Sequence, residues 1–224
     1  MTLTNPDMVL FDLDGTLVDS VPDMAWSVDT MLESIGLPVC GEDKIRHWIG
    51  DGLENLIKCA LTNAMHTEPD RFLFDKALHL FLDIYAENSC RATRIYDGVE
   101  SGLDYLKRKK YRLGCVTNKR EQFTCRILDT LGIKDHFEIV IAGDTLPRKK
   151  PHPLPLLHAA DFFCARPEYS LMVGDSVNDI AAARAAGFRI ICVSYGYNHG
   201  CDIREAGPDA VVDSLARLPD LLTA

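Results

Sequence analysis

The stretch Met8-Val9-Leu10-Phe11-Asp12-Leu13-Asp14-Gly15-Thr16 sets an unbroken apolar run directly against two acids and a glycine. Four consecutive apolar residues describe a strand buried on both faces, because a half-exposed strand would alternate apolar with polar. Similar runs recur at 111–116, 138–142, 170–173 and 189–193, with a weaker one at 210–212. Between them, residues 99–109, 119–131, 153–164 and 177–186 space their apolar side chains at the helical period. Strand and helix alternate, which predicts an α/β fold built on a mostly parallel sheet.

One interval departs from that rhythm. From Val21 to Asn88 there is no buried-strand run, only helical patterns at 24–34, 53–64 and 72–85. Breakers separate them at Gly36-Leu37-Pro38, Gly50-Asp51-Gly52 and Glu68-Pro69. The expected organisation is therefore a core of residues 1–17 and 89–224, interrupted by a helical insert over 18–88.

Composition narrows the function classes. The 224 residues are 47% hydrophobic and 25% charged, with a net charge of −9, which excludes disorder for the chain as a whole. No apolar run approaches the ~20 residues of a membrane span. Residues 1–7 lack the basic and then apolar regions of a secretion leader, so a cytoplasmic protein is expected. The acidic balance argues against nucleic acid as a partner, since phosphate backbones reward clustered Lys and Arg. Eight cysteines at 40, 59, 90, 115, 125, 164, 192 and 201 form no Cys-x-x-Cys pair. They are expected to be buried free thiols in a reducing compartment, not bridges or metal ligands.

In an open parallel sheet, ligands bind beyond the carboxyl ends of the strands. The first strand is followed there by Asp12 and Asp14, two apart and so on one side of extended backbone, and by Gly15, which permits a sharp turn. The second is followed by Thr117-Asn118, the third by a loop reaching Lys149-Lys150-Pro151, and the fourth by Gly174-Asp175-Ser176 with Asp179 a turn later. Taken singly, Thr117-Asn118 reads equally well as a helix N-cap. Ser176 and Asp179 read as the cap of an Ala-rich helix, and the lysine pair as solvated surface. Asp12 with Asp14 is harder to explain by structure alone, because adjoining carboxylates repel.

The joint arrangement points to phosphoryl transfer with a metal ion. Two unit charges ~4 Å apart at an effective dielectric of ~20 interact by about 4 kcal/mol, so several carboxylates would expel a phosphate dianion. An oxygen-loving divalent cation reverses that sign, and carboxylates with water suit Mg²⁺. Thr117 and Lys150 could then hold phosphoryl oxygens while one carboxylate attacks phosphorus and its neighbour moves protons.

These residues resemble the four motifs of the haloacid dehalogenase superfamily: Asp12-x-Asp14-Gly15-Thr16, Thr117, Lys150-Pro151 and Gly174-Asp175-Ser176-x-x-Asp179. The resemblance runs from residue 8 to about 195 and implies a doubly wound, Rossmann-like core with a C1-type cap in the 18–88 insert. It implies Asp12 as nucleophile, forming an aspartyl-phosphate, and Asp14 as the acid and then the base. Mg²⁺ would be held by Asp12, the backbone carbonyl of Asp14, and Asp175. Thr117, Asn118 and Lys150 would bind the phosphoryl group, with Asp179 and Ser176 behind them.

Within the superfamily, Trp48-Ile49-Gly50-Asp51-Gly52-Leu53, Lys150-Pro151-His152-Pro153 and Ser194-Tyr195-Gly196-Tyr197-Asn198 resemble the phosphoglycolate phosphatases. That implies 2-phosphoglycolate as substrate, with Gly50 in a substrate-facing cap loop. The same stretches also fit a phosphatase of another small metabolite (a sugar phosphate or pyrophosphate) or a β-phosphoglucomutase-like mutase. A dehalogenase would leave Asp14 unused, and a phosphorylated receiver module would leave the insert and Lys150-Pro151 unused.

Overall fold

The computed structural model describes residues 3–4 and 6–223. The leader reading of residues 1–7 falls partly on Met1, Thr2 and Asn5, which lie outside the described residues. Six strands form one wholly parallel sheet: β1 Met8–Phe11, β2 Arg112–Val116, β3 Ile139–Ile141, β4 Ser170–Gly174, β5 Arg189–Val193 and β6 Ala210–Val212. Their spatial order is β3-β2-β1-β4-β5-β6, so β1 lies near the middle and the chain winds outward on either side of it. The junction of β1 with β4 is therefore the topological switch point, where a crevice opens in such sheets.

The apolar runs are continuous because both faces are covered. Val9 and Phe11 of β1 pack with Leu113, Val173, Leu103 and Ile127 on one side. Met8 and Leu10 pack with Met172, Ile190, Leu156 and Ala183 on the other. Phe11 stands in register with both Cys115 and Val173, so the loops after β1, β2 and β4 leave the sheet at one level.

Four helices follow β1 before the chain returns to the sheet layer: α1 Val21–Ser34, α2 Glu42–Trp48, α3 Leu53–Thr62 and α4 Arg71–Asn88. They share a hydrophobic cluster including Val28, Ile45, Ile57 and Phe81, which also takes in Phe123 and Tyr197. The helix α1 starts earlier than its apolar spacing suggests, because Pro22 suits a first helical turn. The seven residues of α2 are too few to show a period, and the sequence gives no sign of them.

The chain leaves for these helices and returns along one seam, where Val18 pairs antiparallel with Ile95 and Asp19 with Arg94. Asp23, buried in the first turn of α1, fastens that seam. Its carboxylate accepts from the amides of Arg91, Ala92 and Thr93 at 2.8–2.9 Å and from Thr93 Oγ1 at 2.7 Å.

Helix α5 Val99–Arg108 precedes β2, α6 Glu121–Thr130 follows β2, α7 Leu154–Phe163 follows β3 and α8 Val177–Ala186 follows β4. All eight cysteines are unpaired thiols, but Cys40, Cys90 and Cys125 are only half-buried and Cys164 and Cys201 are exposed, which corrects the expectation of a buried set. Cys164 and Cys201 lie in segments that leave the sheet layer, beyond the apolar runs that bury Cys115 and Cys192. Among the described residues, no helix is long and apolar enough to cross a membrane.

Candidate active site

Asp12 follows β1 directly and is buried beside the switch point. Its Oδ1 accepts from the Leu13 amide at 2.7 Å and pairs with Lys150 Nζ at 2.8 Å. At Gly15 the backbone turns with φ +83°, a conformation that favours glycine, and a Cβ there would overlap the Asp175 carboxylate. That close approach lets the loop after β1 lie against the loop after β4. Thr16 Oγ1 donates to Asp175 Oδ1 at 3.0 Å, and the Tyr197 amide donates to its Oδ2 at 2.8 Å.

Lys150 lies at the bottom of the site with a 2% exposed side chain. Its ammonium donates to Asp12 Oδ1, to Asp179 Oδ1 at 2.7 Å and to the Val116 carbonyl at 2.7 Å. Asp179 serves two purposes. Its Oδ2 accepts from the amides of Asp175 and Ser176 and from Ser176 Oγ at 2.8 Å, completing the capping box of α8. The structural and functional readings of Ser176 and Asp179 therefore hold together, since the helix cap is what aims Asp179 at Lys150.

Asp12, Asp175 and Asp179 bring carboxylate oxygens within 4.8 Å of one another, all buried. Burial pushes the Asp12 carboxyl up to about 7, with Asp179 and Asp14 adding to the rise against the pull of Lys150. Burial, then Asp179 and Asp12, hold Asp175 well above the usual carboxylate range. Burial works against the Lys150 charge, but Asp12 and Asp179 outweigh it and keep the ammonium protonated above its ordinary value.

The Asp14 side chain faces the same cavity but is held differently. It accepts from Ser20 Oγ and pairs with Lys119 Nζ at 3.0 and 3.1 Å. Asp14 thus keeps its carboxylate apart from the three-acid cluster, and the resemblance assigns only its backbone carbonyl to a metal. Lys119 is a site residue that the sequence reading missed. The signal was a cation two residues beyond Thr117, at an edge otherwise lined by acids.

Thr117 caps no helix: α6 begins at Glu121, and Thr117 Oγ1 instead accepts from the Lys119 amide at 3.2 Å. Asn118 Nδ2 donates to the carbonyls of Gly50 and Lys150 at 3.0 and 2.9 Å, joining the loop after β2 to the α2–α3 loop. Asn178 Nδ2 reaches Asp51 Oδ1 at 2.8 Å, Lys149 Nζ reaches the Asp51 carbonyl at 2.8 Å, and Arg120 pairs with Glu54 at 2.6 Å. Lys149 is therefore not free surface, contrary to the bland reading of the pair. Gly50 does sit over the site. With Asp12, Asp14, Thr117 and Asn118 it lines a cavity of about 50 Å³, whose opposite wall is Met24, Leu53, Leu56, Phe81, Tyr85 and Phe123.

Such a cavity, acid-lined below and apolar above at the crevice of a parallel sheet, defines a hydrolase of the haloacid dehalogenase type. The chain belongs to the haloacid dehalogenase-like hydrolase family, which residues 9–193 match. A phosphoglycolate phosphatase of Nitrosococcus oceani is 57% identical over 221 residues, covering 99% of this chain and 98% of that one. One of Nitrosospira multiformis is 45% identical over 96% of this chain and 94% of its own. The crystal structure of a predicted phosphoglycolate phosphatase from Haemophilus somnus superposes with a TM-score of 0.91 at 36% identity, covering 96% of each chain.

Proposed function

We propose that this chain is a Mg²⁺-dependent phosphomonoester hydrolase whose substrate is 2-phosphoglycolate, released as glycolate and phosphate. The observation that carries the reaction class is the buried Lys150 bridge between Asp12 and Asp179, beside Asp175, with Asp14 lining the same cavity as Asp12. Phosphoglycolate phosphatases at up to 57% identity over nearly the whole chain support the substrate.

The donor set fits a divalent cation. Asp12, Asp14, Asp175 and Asp179 face two buried ammonium groups, Lys119 and Lys150, a formal deficit of two positive charges. Burial first, and the neighbouring carboxylates after it, raise the Asp12 and Asp175 carboxyls. All-oxygen ligands suit Mg²⁺. Asp12, Asp175 and the Asp14 carbonyl would hold it, as the motifs imply, while Asp179 pairs with Lys150 and caps α8. When bound, Mg²⁺ supplies neutralisation of the phosphoryl oxygens and of the attacking carboxylate.

Asp12 attacks phosphorus in line, the ester P–O bond breaks, and Asp14 gives its proton to the departing glycolate oxygen. Asp14 then takes a proton from water, which attacks the aspartyl-phosphate and frees phosphate and the Asp12 carboxylate. Lys150 and Thr117 hold the phosphoryl oxygens while Asp179 fixes Lys150. Residues 18–88 act as the cap, excluding bulk water through the Gly50 loop and its apolar wall. Assay of phosphate release from 2-phosphoglycolate, sugar phosphates and pyrophosphate, with and without Mg²⁺, tests the proposal. Metal-dependent release fastest with 2-phosphoglycolate is expected, and a faster sugar phosphate would overturn the substrate assignment.

Metal affinity should also follow pH. A carboxylate must lose its proton to bind metal, and Asp12, pushed up to about 7, is mostly protonated at pH 6. The apparent Kd for Mg²⁺ is therefore expected to tighten about tenfold from pH 6 to pH 8. Titration calorimetry in two buffers of different ionisation enthalpy would count the proton released. An affinity flat across that range would remove Asp12 from the ligand set.

A further inference from the structure

The geometry points to Lys119 and Tyr85 as the receptor for the carboxylate of the substrate, and so to a site selective for small phosphate esters bearing a second negative charge. This rests on the phosphatase reading above and deepens it.

A substrate with a carboxylate carries a charge that the mainly apolar upper wall cannot solvate. Among the described residues lining the cavity, the cations are Lys119 and Arg120, and Arg120 is tied to Glu54 at 2.6 Å. Lys119 is different. Its side chain is 4% exposed and projects between the acids and the apolar wall, 3.6 Å from Met24 Sδ, with the ammonium 5.1 Å from the Tyr85 ring centroid. Two of its donor directions meet Asp14. The third meets Met24 Sδ at 3.6 Å, a weak acceptor that a carboxylate would displace.

Tyr85 supplies the second observation. It reaches the cavity from α4, 2% exposed, and its Oη is buried without a hydrogen bond of good geometry among the described residues. A buried hydroxyl left unpaired is costly unless something occupies it in the working protein. Its ring is fixed by Phe81 at 5.2 Å and Phe123 at 4.7 Å, so the hydroxyl is held in place.

The chemistry of the ester explains the placement. Asp14 must stand at the ester oxygen to protonate it, and in phosphoglycolate the carboxylate lies one methylene beyond that oxygen. A group so close to the Asp14 partner is brought beside the ammonium that already touches Asp14. Neutral esters of the same size gain nothing from Lys119 and leave Tyr85 Oη unpaired.

The test compares kcat/KM for 2-phosphoglycolate and ethyl phosphate in wild type, Lys119→Met, Lys119→Arg and Tyr85→Phe. Loss of the Asp14 contact slows both esters and cancels in their ratio. The ratio is expected to fall roughly 100-fold in Lys119→Met and roughly tenfold in Tyr85→Phe, with Lys119→Arg recovering part of it. The Tyr85→Phe loss should appear in KM for phosphoglycolate, with no loss of thermal stability, because the hydroxyl it removes makes no hydrogen bond of good geometry. A structural hydroxyl would instead lower the melting temperature. If wild type shows no preference for phosphoglycolate, the substrate reading itself fails. If wild type prefers it and both Lys119→Met and Tyr85→Phe keep the ratio, the receptor assignment is overturned and the phosphatase stands. Should Lys119→Met not fold, an unchanged ratio in Tyr85→Phe overturns the assignment alone.

Discussion

Asp12→Asn is expected to lower phosphate release by roughly 10⁴-fold or more while the chain still folds. The amide is nearly isosteric but cannot attack phosphorus. Stability should move the other way. In the metal-free protein Asp12 is a buried carboxyl crowded by Asp179 and Asp14. Removing its charge relieves that repulsion, while Lys150 keeps Asp179 and the Val116 carbonyl. The metal-free variant should therefore melt no lower than wild type, and its stabilisation by Mg²⁺ should shrink. Phosphate release and thermal melts with and without Mg²⁺ read both effects. Activity near that of wild type would rule out Asp12 as the nucleophile.

Lys150→Met is expected to be the most destabilising single change in the site. Lys150 is paired twice with carboxylates and once with a carbonyl. Removing one partner of a buried charged network strands the others, which costs about 3–5 kcal/mol. The loss should depend on pH with a definite sign. Asp12 then has no ammonium beside it to favour its charged form. Its folded-state pKa rises further, and stability falls as pH climbs from the unfolded value near 4 up to the folded one. Urea denaturation should therefore show a larger deficit against wild type at pH 8 than at pH 5.5. A deficit that is small and flat with pH would mean that Lys150 does not hold these acids together.

Much of this was written in the sequence, for identifiable reasons. Strands β1 and β5 could be read from hydrophobicity because parallel strands are buried on both faces, Asp12 and Asp175 because they follow such strands directly, and Lys150 because it stands before Pro151 in the loop beyond β3. Register then brings Asp12 and Asp175 together without any contribution from the sequence between them. Lys119 and Tyr85 were not legible in the same way. Tyr85 sits in an amphipathic helix, where an aromatic reads as core, and only the packing of α4 over α6 turns its hydroxyl toward the site. The ion pair of Lys119 with Asp14 spans 105 positions of sequence, and no local pattern encodes it. The helix α2 escaped notice because a two-turn element leaves no period.

The seam formed by Val18 and Ile95 has a consequence for how such a chain can change. Asp23 fastens residues 91–93 beside the point of departure, so the ends of the four-helix segment lie as close as the ends of a hairpin. The entropy of closing a loop between adjacent anchors grows only with the logarithm of its length. To the sheet, those helices are energetically equivalent to a surface loop. They can be trimmed, extended or exchanged without displacing Asp12 or Asp175, provided the replacement still covers Phe123 and Tyr197. The acids and Lys150 at the strand ends and the helices over them are thus carried on parts of one chain that can evolve at different rates.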